Sequence, residues 1–153
     1  MNKIIPTLIL ISLVSIFTSC KKTSEGETVP FGEKIYKVEI LEFDPDIVTG
    51  RLEEKTVVNE ITAEDDSAAA IEGFLTYVAD IKAYCKLKNS DAGNLLSIPK
   101  FYSVYDEDGN LLPRIKGEEK QEIIKMALTD DDIKIYKENL PPYHFEYSAL
   151  MCD

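Results

Sequence analysis

The chain has 153 residues, a length that fits one domain, and its 28 acidic and 17 basic residues give a formal charge of −11. This negative balance, with no basic cluster to offset it, excludes most binding to nucleic acid. A single histidine excludes a metal site built from several histidines.

Residues 1–19 have the pattern of a secretory signal peptide. A positive residue, Lys3, precedes an apolar stretch from Ile4 to Phe17, and small residues follow. The apolar stretch is shorter than the about 20 helical residues that cross a bilayer, and serines interrupt it. We therefore predict that this segment is a signal peptide and not a permanent span.

The sequence Phe17-Thr18-Ser19-Cys20 resembles the lipobox of bacterial lipoprotein precursors. In that family a large apolar residue stands three places before a cysteine, with small residues directly before it. The resemblance implies cleavage before Cys20, a diacylglycerol thioether on its sulfur and an acyl chain such as palmitate on the new amine. Several acyl chains give stable anchoring, whereas one chain binds a membrane only marginally. The alternative is an ordinary secretory peptide with an incidental cysteine.

Residues 20–30 are polar and without periodicity, which predicts a flexible linker between the lipid anchor and a globular domain at 31–153. Lys21 and Lys22 follow the cysteine and either lie against anionic headgroups or stay solvated in the linker. In the resembled family an aspartate directly after the cysteine favours inner-membrane retention in some lineages. Because Lys21 holds this place, we expect the chain in the outer membrane, facing the periplasm.

Two strands are predicted at the start of the domain. Apolar and polar residues alternate over Ile35–Ile40, which predicts a half-buried strand. The apolar pattern then shifts by one residue at Leu41 and Phe43, which indicates a bulge or a strand buried on both faces. Turn residues follow, and the more polar segment 51–61 predicts a second strand near an edge of the sheet.

A long helix is predicted from Thr62 to about Lys88. Thr62 would cap its first turn, and acids near its start and lysines near its end suit the helix dipole. Apolar residues recur at three- and four-residue steps and define a buried stripe that includes Cys85. Gly73 costs up to about 1 kcal/mol relative to alanine, and it would let another backbone approach the helix closely.

The second half of the domain is predicted to contain both strands and helices. The pattern favours a hairpin over 100–112, a short helix at 118–128, another helix from Thr129 to the prolines at 141–142, and a strand at 143–149. The complete order is ββαββααβ. It predicts a single small α+β domain, mainly antiparallel sheet with one long and two short helices.

Cys85 and Cys152 are the cysteines that remain in the domain. An exported compartment permits disulfides, so the simplest prediction is a bridge that ties the C-terminus to the long helix. The loop-entropy model gives such a bridge about 4 kcal/mol of stabilisation. The alternative is two free thiols, one in the core and one on a loose tail.

Two groups of residues are weak candidates for metal binding or catalysis. Asp106, Asp108 and Asn110 superficially match a calcium loop, but the required glycine and glutamate are missing and the same residues suit a hairpin turn. His144 and Glu146 would share one face of the last strand and could bind a metal or transfer protons. Nothing else in the sequence completes either set, so a hydrogen-bonded structural histidine is the simpler interpretation.

The domain is rich in aromatic residues, with eight tyrosines and six phenylalanines in the whole chain. The tyrosines cannot all be buried with satisfied hydroxyl groups, and an acidic surface that bears tyrosine suits a basic protein or peptide partner. The leading hypothesis is a lipid-anchored envelope lipoprotein whose domain is a binding module without catalysis or cofactor. The alternatives are an envelope hydrolase or metal-dependent enzyme that uses His144 with nearby carboxylates, and a structural envelope component.

Overall fold

The computed structural model describes residues 32–46, 48–49, 51–90 and 96–152, and the predicted signal peptide, Cys20 and the linker lie outside these residues. The predicted α+β class is confirmed, with the element order ββαβαα. The elements are β1 (Lys34–Pro45), β2 (Leu52–Ala63), α1 (Asp66–Lys88), β3 (Ile98–Tyr105), α2 (Gly117–Ala127) and α3 (Asp130–Asn139).

The three strands form one antiparallel sheet in the order β2-β1-β3. β1 and β2 pair without interruption, from Lys34 opposite Ala63 to Pro45 opposite Leu52. β1 also pairs with β3, beginning with Lys37 opposite Tyr105. The central position of β1 explains why its sequence is the more apolar of the first two strands.

A bulge interrupts the pairing of β1 with β3. Leu41 pairs with Phe101, but the next residue of β1, Glu42, pairs with Pro99. Lys100 is therefore the extra residue, on β3. The sequence pattern of β1 indicated the right place in the sheet, although the inserted residue belongs to the neighbouring strand.

Side-chain alternation gives the sheet a core face and an outer face. Tyr36 and Ile40 lie on the core face and are completely buried. Phe43 lies on the outer face and is buried as well, because the Lys100 ammonium lies 4.8 Å from its ring centre and the His144 ring packs edge-on against it. β1 is therefore buried on both faces at its C-terminal end.

α1 packs on the core face through the predicted stripe. Its cap is Asp65 and not the predicted Thr62, because β2 continues through Ala63. The Asp65 carboxylate accepts a hydrogen bond of 2.8 Å from the Ala68 amide. The large buried residues of α1 are Phe74, Tyr77, Val78, Ile81, Tyr84 and Cys85.

Among the described residues, the structure contains no helix with both the length and the apolar character needed to cross a bilayer.

Gly73 marks a close approach between α1 and β3. A Cβ atom at this position would lie 2.3 Å from Cγ2 of Val104, a separation at which one of the two must move. The predicted close approach is therefore present, although a side chain of the sheet approaches the helix and not a second backbone. Glycine lets α1 lie directly on the sheet.

Two of the predicted strands are wrong. Leu111 makes only an isolated bridge with Tyr105, so the hairpin after β3 does not continue as a ladder. Residues 143–149 form successive turns, and Tyr143 has a positive φ of 71° that an extended strand does not allow. The alternating aromatic residues of this segment imitate the pattern of a strand, but the chain folds back on itself there.

Five of the eight tyrosines are buried, and two of them satisfy the backbone of the bulge. Tyr77 donates a hydrogen bond of 2.9 Å to the carbonyl of Lys100, and Tyr136 donates one to the carbonyl of Pro99. The two hydroxyl groups are also 3.0 Å apart. These bonds satisfy carbonyl groups at the bulge, and the Lys100 carbonyl also accepts a hydrogen bond from the Ala149 amide at 3.0 Å. The buried tyrosines are Tyr36, Tyr77, Tyr84, Tyr102 and Tyr136.

α3 begins as the sequence predicts. The Thr129 side chain accepts a hydrogen bond from the Asp132 amide, and the Asp132 carboxylate accepts one from the Thr129 amide. This reciprocal pair is a capping box and satisfies two donors at the helix start.

Candidate functional site

A groove crosses the outer face of the sheet near the start of β1. It has a volume of about 730 Å³, and all three strands and the loop after β3 contribute to its lining. α1 packs on the opposite face, so Ile35 and Val58 remain 40% and 52% exposed here. We call this the outer-face groove and define it by Ile35, Lys37, Glu39, Val58, Glu60, Tyr105, Asp106 and Glu107.

Strand register brings the charged and aromatic side chains of this groove together. Lys37 on β1 is directly opposite Glu60 on β2 and directly opposite Tyr105 on β3. Such cross-strand neighbours have Cβ atoms about 4.5–5.5 Å apart, so the three side chains form one row across the sheet. Glu39 and Val58 form the next row.

The Lys37 ammonium interacts with two groups of the groove. It lies 2.6 Å from a carboxylate oxygen of Glu39 and 5.7 Å from the centre of the Tyr105 ring. The hydrogen bond and the charge of Glu39 raise the pKa of Lys37 above its usual value, with a smaller contribution from Tyr105. The ammonium is therefore fully charged at neutral pH.

Carboxylates exceed ammonium groups in the groove. Among its described lining residues, Glu39, Glu60, Asp106 and Glu107 are acidic and Lys37 is basic. The exposed apolar side chains of Ile35 and Val58 and the half-buried ring of Tyr105 lie between these charges. The surface is therefore complementary to a partner that carries positive charge and some apolar area.

Asp106, Asp108 and Asn110 form a turn at one end of the groove. The Asp106 carboxylate accepts hydrogen bonds from the backbone amide of Asn110 at 2.7 Å and from its side chain at 2.9 Å. These bonds lower the pKa of Asp106, and Gly109 provides the positive φ of the turn. The carboxylate proposed for calcium closes a hairpin turn here.

In the part of the chain that the structure describes, no three His, Cys, Asp or Glu side chains are grouped so that they could hold a metal ion.

The strand expected to align His144 with Glu146 is not formed, so their shared face does not exist. The His144 ring contacts the Phe43 ring edge-on, with ring centres 4.9 Å apart. Glu146 is exposed, and its carbonyl accepts a weak hydrogen bond from the Cys152 thiol. His144 therefore packs against the outer face of the sheet beyond the groove.

The predicted disulfide is not present in the structure, where Cys85 and Cys152 are both free thiols. The Cys85 thiol donates to the Asp132 carbonyl at 3.2 Å, so the start of α3 packs against it. Burial raises the pKa of this thiol to about 11, which keeps it protonated and unreactive. The C-terminal segment is instead held by the buried Lys120, whose ammonium donates to the Cys152 carbonyl.

Sequence reasoning missed a second groove, of about 340 Å³, between α1 and the far end of the sheet. Glu42 and Asp80 both line it, and burial raises the pKa of each carboxyl group. The charge of Asp80 raises the pKa of Glu42 further. The sequence does contain a sign of this site, because Glu42 continues the alternation of the core-face residues of β1.

No family model matches the chain, and the comparisons with curated proteins and with solved structures found no match. The function has to follow from the geometry of the chain itself. The outer-face groove is larger than the second groove, and it combines carboxylates, an aromatic ring and exposed apolar side chains. It is the candidate site for binding a partner.

Proposed function

We propose that this chain is an envelope lipoprotein, anchored through acyl chains on Cys20, and that its domain binds a basic protein or peptide in the outer-face groove. The groove carries this proposal, because it places acidic, aromatic and apolar side chains together on a face that α1 leaves uncovered. The second groove is about half as large, and its aromatic residue, Tyr84, is buried.

Membrane anchoring is supported by the N-terminal sequence. A short positive start, an apolar stretch too short to span a bilayer and small residues before Cys20 occur together in the order that lipoprotein processing requires. The polar residues 20–30 are long enough to separate the domain from the membrane surface. The lysine after Cys20 supports an outer-membrane position facing the periplasm.

Binding of a basic partner is supported by charge and by chemistry. A chain of formal charge −11 attracts positively charged partners over long range and speeds their encounter. Tyr105 and the apolar residues Ile35 and Val58 provide apolar surface that a partner can bury. Long-range charge alone does not supply this short-range contribution to binding. The combination favours a specific partner over diffuse attraction of cations.

The anchor can be tested in a bacterial host fed with labelled palmitate. We expect the full-length chain to take up label and to fractionate with membranes, and the Cys20→Ser variant to do neither. A mature chain that keeps its initiating Met, or a soluble product with an unmodified Cys20 thiol, would exclude the anchor.

The binding surface can be tested with the full-length chain in a non-ionic detergent. The probe is a peptide of five Arg-Ser repeats, and the matched uncharged probe carries citrulline in place of arginine. The triple variant Glu39→Gln, Glu60→Gln and Glu107→Gln should weaken binding of the arginine peptide about tenfold or more. The citrulline peptide should bind weakly to both proteins.

A matched control removes three carboxylates from exposed helix positions, in the variant Glu72→Gln, Glu122→Gln and Glu138→Gln. Both triple variants have the same net charge, so long-range attraction changes equally in both. We expect the control to bind within about threefold of the original chain. Equal losses in the two variants would show that the groove is not the binding site.

A further inference from the structure

Lys37 occupies the centre of the outer-face groove, between Glu60 on one neighbouring strand and Tyr105 on the other. Its ammonium is within hydrogen-bond distance of Glu39 and within cation–π distance of the Tyr105 ring. An aromatic face beside a carboxylate is the arrangement that recognises an organic cation. The groove therefore already contains a cation, and it is supplied by the chain itself.

The interactions of Lys37 are of a kind that another cation can replace. Its side chain is 49% exposed and that of Glu39 is 28% exposed. Because water screens the two charges, the ion pair is weak. The lysine stem is flexible, and the ammonium can move into solvent without disturbing the pairing of β1. An arginine side chain would stack on the Tyr105 ring and bond Glu39 through two donors at once.

We infer that Tyr105, Glu39 and Glu60 form a subsite for an arginine or lysine side chain of the partner, and that Lys37 is an internal occupant which the partner displaces. This inference rests on the proposed function, since it assigns a specific contact within the same groove. Lys37 lowers affinity by competing for the subsite and by repelling the incoming charge. Partners with a single exposed positive group are thereby rejected, and those with several are retained.

The inference is tested by removing the occupant. With the five-repeat Arg-Ser peptide as probe and the full-length chain in detergent, Lys37→Gln should tighten binding about three- to tenfold. Lys34→Gln removes an equal charge from an exposed position at the start of the same strand, and it should change affinity less than twofold. Lys37→Arg keeps an occupant and should bind the peptide no more tightly than the original chain.

The aromatic part of the subsite is tested in the same assay. Tyr105→Leu should weaken binding about three- to tenfold, whereas Tyr105→Phe, which keeps a ring face, should stay within about twofold of the original chain. In the Tyr105→Leu background, Lys37→Gln should give a smaller gain than it gives alone. Thermal unfolding of each variant checks that the sheet is intact.

The outcomes separate this inference from the proposed function. If Lys37→Gln leaves affinity unchanged, weakens it, or tightens it only as much as Lys34→Gln does, the displaced-lysine subsite is overturned, even if the triple glutamine variant loses binding. If that triple variant binds like its matched control, the groove is not a binding site at all and both proposals fail.

Discussion

The two faces of the sheet differ in what covers them. On the core face, α1 buries the side chains of β1 and β3 until Tyr36, Val38 and Tyr102 are almost completely inaccessible. On the outer face near the start of β1, none of the residues that the structure describes covers Ile35 and Val58 in this way, and carboxylates surround them. An antiparallel sheet needs only one buried face for its stability, so the other face is available for recognition.

The outer face itself differs between the two ends of β1. At its C-terminal end the outer face is closed, because Lys100 and His144 pack on Phe43 and Lys100 forms an ion pair of 3.1 Å with Glu54. At its N-terminal end the same face is open around Lys37. The bulge at Lys100 contributes to this difference, since the extra residue places a long side chain over Phe43.

The largest expected effect is a difference in folding stability between substitutions on the two faces of the sheet. Phe74 on α1 is fully buried, and its ring centre lies 5.5 Å from that of Tyr102. Phe74→Ala should lower the free energy of unfolding by about 3–5 kcal/mol, because it leaves a cavity in the core. Val58→Ala on the outer face should change it by less than about 1 kcal/mol. Urea unfolding measures both, and equal losses would contradict the division.

Gly73→Ala tests how closely α1 lies on the core face. Helix propensity alone favours alanine, but the new methyl group would overlap the Val104 side chain, and we expect a net loss of about 1–3 kcal/mol. In a Val104→Ala background the same change should be neutral or stabilising, because space for the methyl group is then available. A loss of the same size in both backgrounds would show that Val104 is not the cause.

His144→Ala probes the closed end of the outer face. Losing the edge contact with Phe43 should cost about 0.5–1.5 kcal/mol in the free energy of unfolding. Binding of the arginine peptide should not change, because His144 lies outside the groove lining. The enzyme alternative makes the opposite prediction, namely a lost function with a normal fold.

The smallest effect concerns the second groove and depends on pH. The folded-state pKa values of Glu42 and Asp80 are raised, so their charged forms are less favourable in the folded chain than in the unfolded chain. Their contribution to stability is therefore lost as pH rises from about 4 through the raised pKa values. Asp80→Asn should flatten this part of the pH profile and stabilise the chain at pH 7 by up to about 0.5 kcal/mol.

Asp106→Asn is a control, because the contribution of Asp106 to stability changes with pH in the opposite direction to those of Glu42 and Asp80. Hydrogen bonds from Asn110 lower the folded-state pKa of Asp106, so its contribution is present above the unfolded pKa and is lost as pH falls through the folded value. The variant should remove stability near neutral pH and not at acidic pH. Thermal unfolding across a pH series measures both variants, and slopes of the same sign would contradict these assignments.

Local patterns in the sequence predicted much of the fold. The long helix, the two short helices, the Thr129 cap and the first two strands follow from periodicity and end residues, which depend on neighbours in sequence. The segment 143–149 could not be predicted in this way, because the consecutive residues His144 and Phe145 contact the sheet and α3 from a series of turns. Tyr143 and Tyr147, which gave the segment its alternating pattern, are exposed. The missing disulfide has a similar origin, since α3 packs against Cys85.

For the candidate site, the sequence predicted the type of surface but not the residues that form it. An acidic surface that bears tyrosine follows from composition, but the position of the half-buried Tyr105 beside Lys37 depends on the register of β3 with β1, which composition does not contain. Residues that are far apart in sequence therefore meet in the groove for a reason that only the assembled sheet shows.

The outer face as the binding face can be tested directly by photo-crosslinking in the bacterial envelope. A photoreactive residue replaces Val58 in the groove or, as a control, the exposed Met126 on α2. We expect a basic protein to crosslink at position 58, not at position 126, and no longer when Glu39, Glu60 and Glu107 are changed to glutamine. The same products at both positions, or a product that survives the three substitutions, would contradict a binding site on this face.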